Sequence, residues 1–258
     1  MPQRSTVIYR YDGSFNGLLC CVFRAIAQKE EPMDIQAEED AQATLLPVVE
    51  VVTRADQAQR VLRSIPEKLG PSALRCVKLA FLSGKAGREI AILDFLRLGY
   101  RVGPHIMGML ADPRVDPVVS AARNVLGEAH LLKGFTRFSQ YGGVLAAEIE
   151  PKNHVLPILG SHFRARMPGE SFLIHDRTHG MVLACSGGVC RLFLVTELEL
   201  PEAEPMEKRY RRLWTRFYDT VGIESRYNPQ CRMTQMPKRY WGLMTEFQNE
   251  NRFDTLPR

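Results

Sequence analysis

The spacing of apolar residues changes along the chain, and that change constrains the fold more than any other feature. Before Gly142 the apolar side chains mostly recur every three to four positions; from there they fall into short runs broken by turns. Recurrence near 3.6 residues marks amphipathic helices, whereas short alternating runs between Gly clusters mark strands. The chain therefore reads as α+β, with an α/β arrangement left open. Its N-terminal half is expected to be helix-rich. Its C-terminal half is expected to hold a small, mostly antiparallel sheet with flanking helices.

Residues 6–11 read as a first strand ended by the turn pair Asp12-Gly13, after which Ser14 suits a helix N-cap. Phe15, Leu18, Leu19, Val22, Phe23 and Ile26 then form one helical stripe that stops before Pro32. The acidic segment "KEEPMDIQAEED" reads as an exposed connection, and "TLLPVVEVV" (44–52) as a second strand. Helices are expected over 54–65, 72–83 and 86–101, separated by Gly/Pro punctuation, and a long one over 118–138. "GGVLAAEIEP" reads as a strand and "NHVLPILGSHFRARMP" as a helix. "SFLIHD", "GMVLACSGG" and "CRLFLVTEL" follow as three strands, then a helix from Pro201 to Gly222. A loop with Asn228-Pro229 leads to a short terminal helix near 237–247. With no internal repeat, one domain over 1–258 is expected, with a sub-boundary placed near 112–140.

At 258 residues, with 45% hydrophobic and 24% charged, the composition is that of a globular protein. No apolar run approaches the ~20 residues needed to cross a bilayer, and the N-terminus carries no apolar leader pattern. The six cysteines include no C-x-x-C pair, so reduced thiols and a cytoplasmic location are expected, with no membrane partner. The net charge is +5, and Met206 to Arg258 carries eleven Lys/Arg against six acids. Such asymmetry favours an anionic partner.

Five of the six histidines lie between 130 and 179, and His175-Asp176 ends a strand at a basic turn. That pair is a candidate acid/base site, although neighbouring strand residues point to opposite faces. His175 and His179 are four apart on a turn, and no carboxylate or cysteine set completes a ligand pattern, so no metal or cofactor is expected. Lys133 and Arg137 are spaced i, i+4, so an anion lying across them would relieve their repulsion. Arg164 and Arg166, following His162, offer guanidinium forks suited to phosphate oxygens. Near the C-terminus "MPKRYWG" sets Lys238 and Arg239 beside Tyr240 and Trp241. Cations beside rings suit a nucleic acid, and equally suit an amphipathic turn whose rings pack inward. There is no phosphate-loop Gly-Lys-Ser/Thr, no G-x-S-x-G and no deaminase or iron–sulfur cysteine pattern.

Several stretches taken together, "YDGSFNGLLCCVF", "KGFTRF", "HVLPILGSHFRARMP", "FLIHD", "YNPQCR" and "MPKRYWGLMTE", resemble a bacterial family of uncharacterised DNA-metabolism proteins. Its members are encoded beside a radical-SAM protein of DNA repair or modification. A related domain is joined in some proteins to a uracil-DNA glycosylase-like domain. The resemblance implies DNA and that radical-SAM protein as partners. It implies family-typical residues at Lys133, Arg137, His162, Arg164, Arg166, His175, Asp176, Asn228, Lys238, Arg239, Tyr240 and Trp241. The turn "RTHG" after "IHD" departs from the family pattern, which puts Arg177 and His179 in doubt. The expected function is that of a DNA-binding accessory protein in repair or modification. An enzyme acting on a damaged or modified base through His175 and Asp176 is the alternative, as is an interaction module without DNA affinity, and whether the chain is an enzyme is left open.

Overall fold

The computed structural model describes residues 7–40, 44–226 and 228–248. Thr6 of the first expected strand and Tyr227 of the "YNPQCR" motif lie outside them, as do the last charged residues of the tail. The chain divides into two compact units, Met1–Leu126 and Gly127–Arg258.

In the first unit β1 (Ile8–Tyr11), β2 (Asp34–Ala37) and β3 (Val48–Glu50) form a parallel sheet in the order β2-β1-β3. The central β1 buries Tyr9 and Tyr11 almost completely. The segment read as an exposed connection thus contains strand β2, with Ile35 at 2% exposure against the core. Only one strongly apolar side chain marks that strand, and its hydrogen bonds come from the parallel partner rather than from local pattern. Helix α1 (Phe15–Ala27) begins where expected, because the Ser14 hydroxyl accepts from the Gly17 amide at 2.9 Å. Its apolar stripe packs into a core shared with α2 (Ala55–Leu69), α3 (Pro71–Phe81) and α4 (Arg88–Val102). Gly70 separates α2 from α3 at φ +92°, a backbone state that disfavours side chains, and Pro71 starts the next helix. Burial also pushes the Cys76 thiol up to about 11, so it packs as a small apolar group.

Helix α5 (Asp116–Phe135) begins in the first unit and ends in the second. The second unit adds β4 (Ser139–Tyr141), β5 (Val144–Ile149), α6 (Leu156–Arg166), β6 (Phe172–Asp176), β7 (Met181–Ser186) and β8 (Val189–Leu194). The five strands lie in sequence order, antiparallel except for the β5–β6 pair. That one parallel pair exists because α6 carries the chain back across the sheet between β5 and β6, as a parallel connection requires. One sheet face, with Ile149, Phe172, Ile174, Leu183 and Cys185, joins Leu159 and Phe163 of α6 in the core.

Helix α7 (Pro205–Val221) follows, then α8 (Pro229–Gln235) in the region expected to be a loop. The Asn228 side chain caps α8 by accepting from the Cys231 amide at 2.9 Å. The expected terminal helix is two 3₁₀ turns, Lys238–Leu243 and Thr245–Phe247. One cysteine expectation is corrected: Cys185 and Cys190 pair directly across the β7–β8 hairpin and are disulfide-bonded. Four intervening residues, with a tight Gly187-Gly188 turn among them, hid the pairing from a search for C-x-x-C. Among the described residues no helix is long and apolar enough to cross a membrane.

Candidate functional site

Because β5 and β6 run parallel, both deliver their carboxyl ends to the same edge of the second unit's sheet. Crevices at such edges are where ligands of α/β sheets bind. The loop leaving β5 carries Asn153 and His154 into α6, and the turn leaving β6 carries Asp176 and His179. The two imidazoles lie against each other, with ring centroids 4.0 Å apart.

Asp176 sits on the core face of β6 at 1% exposure, whereas His175 occupies the opposite face. His175 and Asp176 therefore do not act on one another. The aspartate's partner is His179: Oδ2 lies 2.6 Å from the imidazole Nδ1. Its Oδ1 accepts from the Thr178 and His179 amides at 3.0 and 3.1 Å. In the neutral ring, an acceptor carboxylate at Nδ1 makes that nitrogen the N–H donor and leaves the lone pair on Nε2. That is the arrangement of an oriented base, built by the turn that follows β6. His175 instead lies 3.5 Å from Glu148, and its buried Nδ1 has no hydrogen-bond partner among the described residues. Arg177 reaches Glu148 and Glu150 at 3.9 and 3.4 Å. The described residues contain no group of three His, Cys, Asp or Glu arranged to hold a metal.

The expected basic contacts separate into two classes. Arg137 lies just past the end of α5 and makes a two-pronged contact with buried Glu246, at 3.2 and 2.7 Å. It also donates to the Gly134 carbonyl at 2.7 Å, and Trp214 donates to the same Glu246 at 3.0 Å. Burial would raise the Glu246 carboxyl; the hydrogen bonds from Arg137 and Trp214 and the Arg137 charge outweigh it and hold the group low. Arg239 donates to Glu128 at 2.7 Å, and Glu128, 4% exposed, also accepts from the backbone amides of Lys152 and Asn153 and from the Asn153 side chain. Both arginines are thus charge partners of buried acids. Tyr240 and Trp241 are core residues at 5% and 8% exposure, the first against Phe135 and the second stacked on Phe247 at 4.7 Å. Neither ring is open to a base. Lys238 is exposed over Trp241, with Nζ 5.8 Å from the ring centre.

Lys133, His162, Arg164 and Arg166 form the second class. None has an acidic partner among the described residues. Burial, then the charges of Lys133 and Arg166, press the His162 imidazole below its ordinary 6.5. The ends of α5 and α6 therefore bring two cations to bear on one half-buried imidazole. An anion placed among them would relieve the repulsion. Helix C-termini tolerate such cations, so the cluster costs the fold little. His162 and Arg166 stand about 9 and 15 Å along α6 from Leu156 at its His154 end.

Residues 86–246 match the model of a domain of unknown function, DUF4130. The chain belongs to the DUF4130 family. The DUF4130 match takes in every candidate residue above, from Glu128 to Glu246, so the acid/base cluster, the basic cluster and the two buried acids all lie within it. No curated protein and no solved structure matches the chain.

Sequence reasoning missed Glu128, Glu246 and His154. Glu128 had a signal: it falls on the apolar stripe of Val125, Ala129 and Leu132, where a charge has to find a partner. Glu246 closes the "MPKRYWGLMTE" stretch but has no local pattern to mark it.

Proposed function

We propose that this DUF4130 protein is a DNA-binding accessory protein of repair or modification that works with a radical-SAM partner. The observation that carries the DNA part is that Lys133 near the end of α5 and Arg166 at the end of α6 both act on the His162 imidazole, with no acidic partner for either among the described residues. Such a cluster suits a phosphate oxygen, with Arg164 beside it on the same helix end. Phosphate contacts give affinity without reading sequence, as an accessory factor needs. Arg137, Arg239, Tyr240 and Trp241 have other duties, holding buried acids and filling the core. The radical-SAM partner rests on the family resemblance alone. Ultraviolet cross-linking to bromodeoxyuridine-substituted oligonucleotides, with the adducts mapped by mass spectrometry, tests the surface. Adducts on peptides containing Lys133 or 162–166 are expected; adducts confined to other surfaces would refute the assignment.

A second reading, acid/base chemistry on a damaged or modified base, is favoured by the Asp176–His179 contact at 2.6 Å. On it His179 Nε2 is the proton acceptor and Asp176 the orienting group. The roles first given to His175 and Asp176 pass to this pair. Base release from lesion-bearing oligonucleotides, abolished by His179→Ala and retained by His175→Ala, is its signature.

A further inference from the structure

Helix α7 carries an apolar stripe that nothing among the described residues covers. Tyr210, Leu213 and Phe217 are 59%, 53% and 55% exposed, and Met206 and Val221 extend the row at either end. Spacings of four, three, four and four residues put all five on one strip of the helix, about 22 Å long. The helix is anchored by a different face: Arg211 donates to Ser139 and Tyr141, Trp214 to Glu246, and Tyr218 packs edge-on against Phe247. The stripe is thus spare after the helix has been held in place. A groove of about 600 Å³ is lined by Tyr210, Leu213 and Phe217 of the stripe with Phe138 and Trp214, and along the anchored side by Glu207, already paired with Arg211. Soluble surfaces rarely leave contiguous apolar area of this kind without a partner.

The charges beside the stripe say what the partner looks like. One long edge adjoins the anchored face, and the other carries Arg209, Arg212 and Arg216, all exposed and none paired with an acid among the described residues. We infer that α7 is a docking surface for an acidic amphipathic helix of a protein partner. Its apolar side chains would fill the groove and its carboxylates would face the three arginines. A second copy of the chain would set those arginines against their own images, at a repulsive cost. A nucleic acid would use the arginines but leave Met206, Leu213 and Val221 with nothing to stack on. An anionic membrane offers no ridge to enter a concave groove, and basic residues flank only one edge.

A designed fluorescent peptide with leucines at helical spacing and glutamates along one flank is the probe, with its lysine-flanked twin as control. Titrated against the full chain, the acidic peptide is expected to bind and the basic twin to bind at least about tenfold more weakly. Leu213→Asp with Phe217→Asp, both exposed positions, should weaken the acidic peptide by about tenfold or more while circular dichroism stays unchanged. Reversing Arg209, Arg212 and Arg216 to Glu should exchange the preference between the two peptides. Equal affinity for both peptides, no binding of either, or affinity indifferent to the Asp substitutions overturns the proposal. Binding of oligo-dT or of phosphatidylserine vesicles that is lost with the same Asp pair, without peptide binding, also overturns it.

Discussion

Replacing Glu128 by Ala removes the acceptor that ties three segments of the second unit together. Its side chain, 3% exposed, receives the Lys152 and Asn153 amides at 3.0 and 2.9 Å, the Asn153 side chain at 2.6 Å and Arg239 at 2.7 Å. With the acid gone, buried donors lose their partner and a guanidinium loses its counter-charge. Each buried donor left unsatisfied costs about 1–3 kcal/mol, so the two buried Asn153 donors together cost about 4 kcal/mol, while the exposed Arg239 adds little. Against a total stability of about 5–15 kcal/mol, that is a large fraction. With a urea slope of about 2 kcal/mol per molar, the midpoint should fall by roughly 2 M at unchanged slope. Arg239→Ala should cost less, because the Lys152 and Asn153 donors still serve the carboxylate, and the double variant should cost less than the sum of the two. His154 follows Asn153, so Glu128→Ala should also shift the His154 and His179 ring resonances. A midpoint shift below about 0.5 M would refute the reasoning, since it would make Glu128 a weak surface acid.

Three other outcomes are expected. The depressed His162 imidazole takes up its proton less readily folded than unfolded, so stability should fall as pH drops through 6.5, and His162→Gln should remove that component of a thermal-melt series. An occupying phosphate reverses the preference: DNA affinity should rise over the same descent, and an affinity insensitive to pH would take His162 out of the contact. Reducing the Cys185–Cys190 bridge, or Cys190→Ser, should lower stability by about 2 kcal/mol for so short a loop, read by urea melts with and without reductant. Asp176→Asn should upset the His179 tautomer more than its position, seen as altered imidazole nitrogen shifts with the fold retained.

The helices of the first unit were legible because each carries a stripe, a Gly or Pro boundary or, at Ser14, a capping side chain. Strand β2 was not, because two of its four residues are polar and its support is a neighbour distant in sequence. The site divides in the same way. Clustered histidines and strand-end Asp176 stood out in the sequence, yet the working partner is His179, three residues on, which only the turn geometry selects. The arginine pairings were illegible: Arg137 meets Glu246 across 109 residues and Arg239 meets Glu128 across 111. Sequence shows a cation near a ring; it does not show the buried acid that claims it. The aromatic pair Tyr240-Trp241 illustrates the same limit, since burial depends on Phe135 and Phe247 arriving from elsewhere.

The measurement that bears most directly on the DNA-binding reading is fluorescence anisotropy of the full chain with single-stranded and duplex oligonucleotides over a salt series. It should be run beside Lys133→Ala/Arg166→Ala and beside Lys238→Ala. Affinity should fall steeply with salt, with a slope shallower by about two charges in the double variant. Lys238→Ala should change little, because Lys238 lies over Trp241 and is not among the charges acting on His162. No binding at low salt, or a slope that the double variant leaves intact, would contradict that reading.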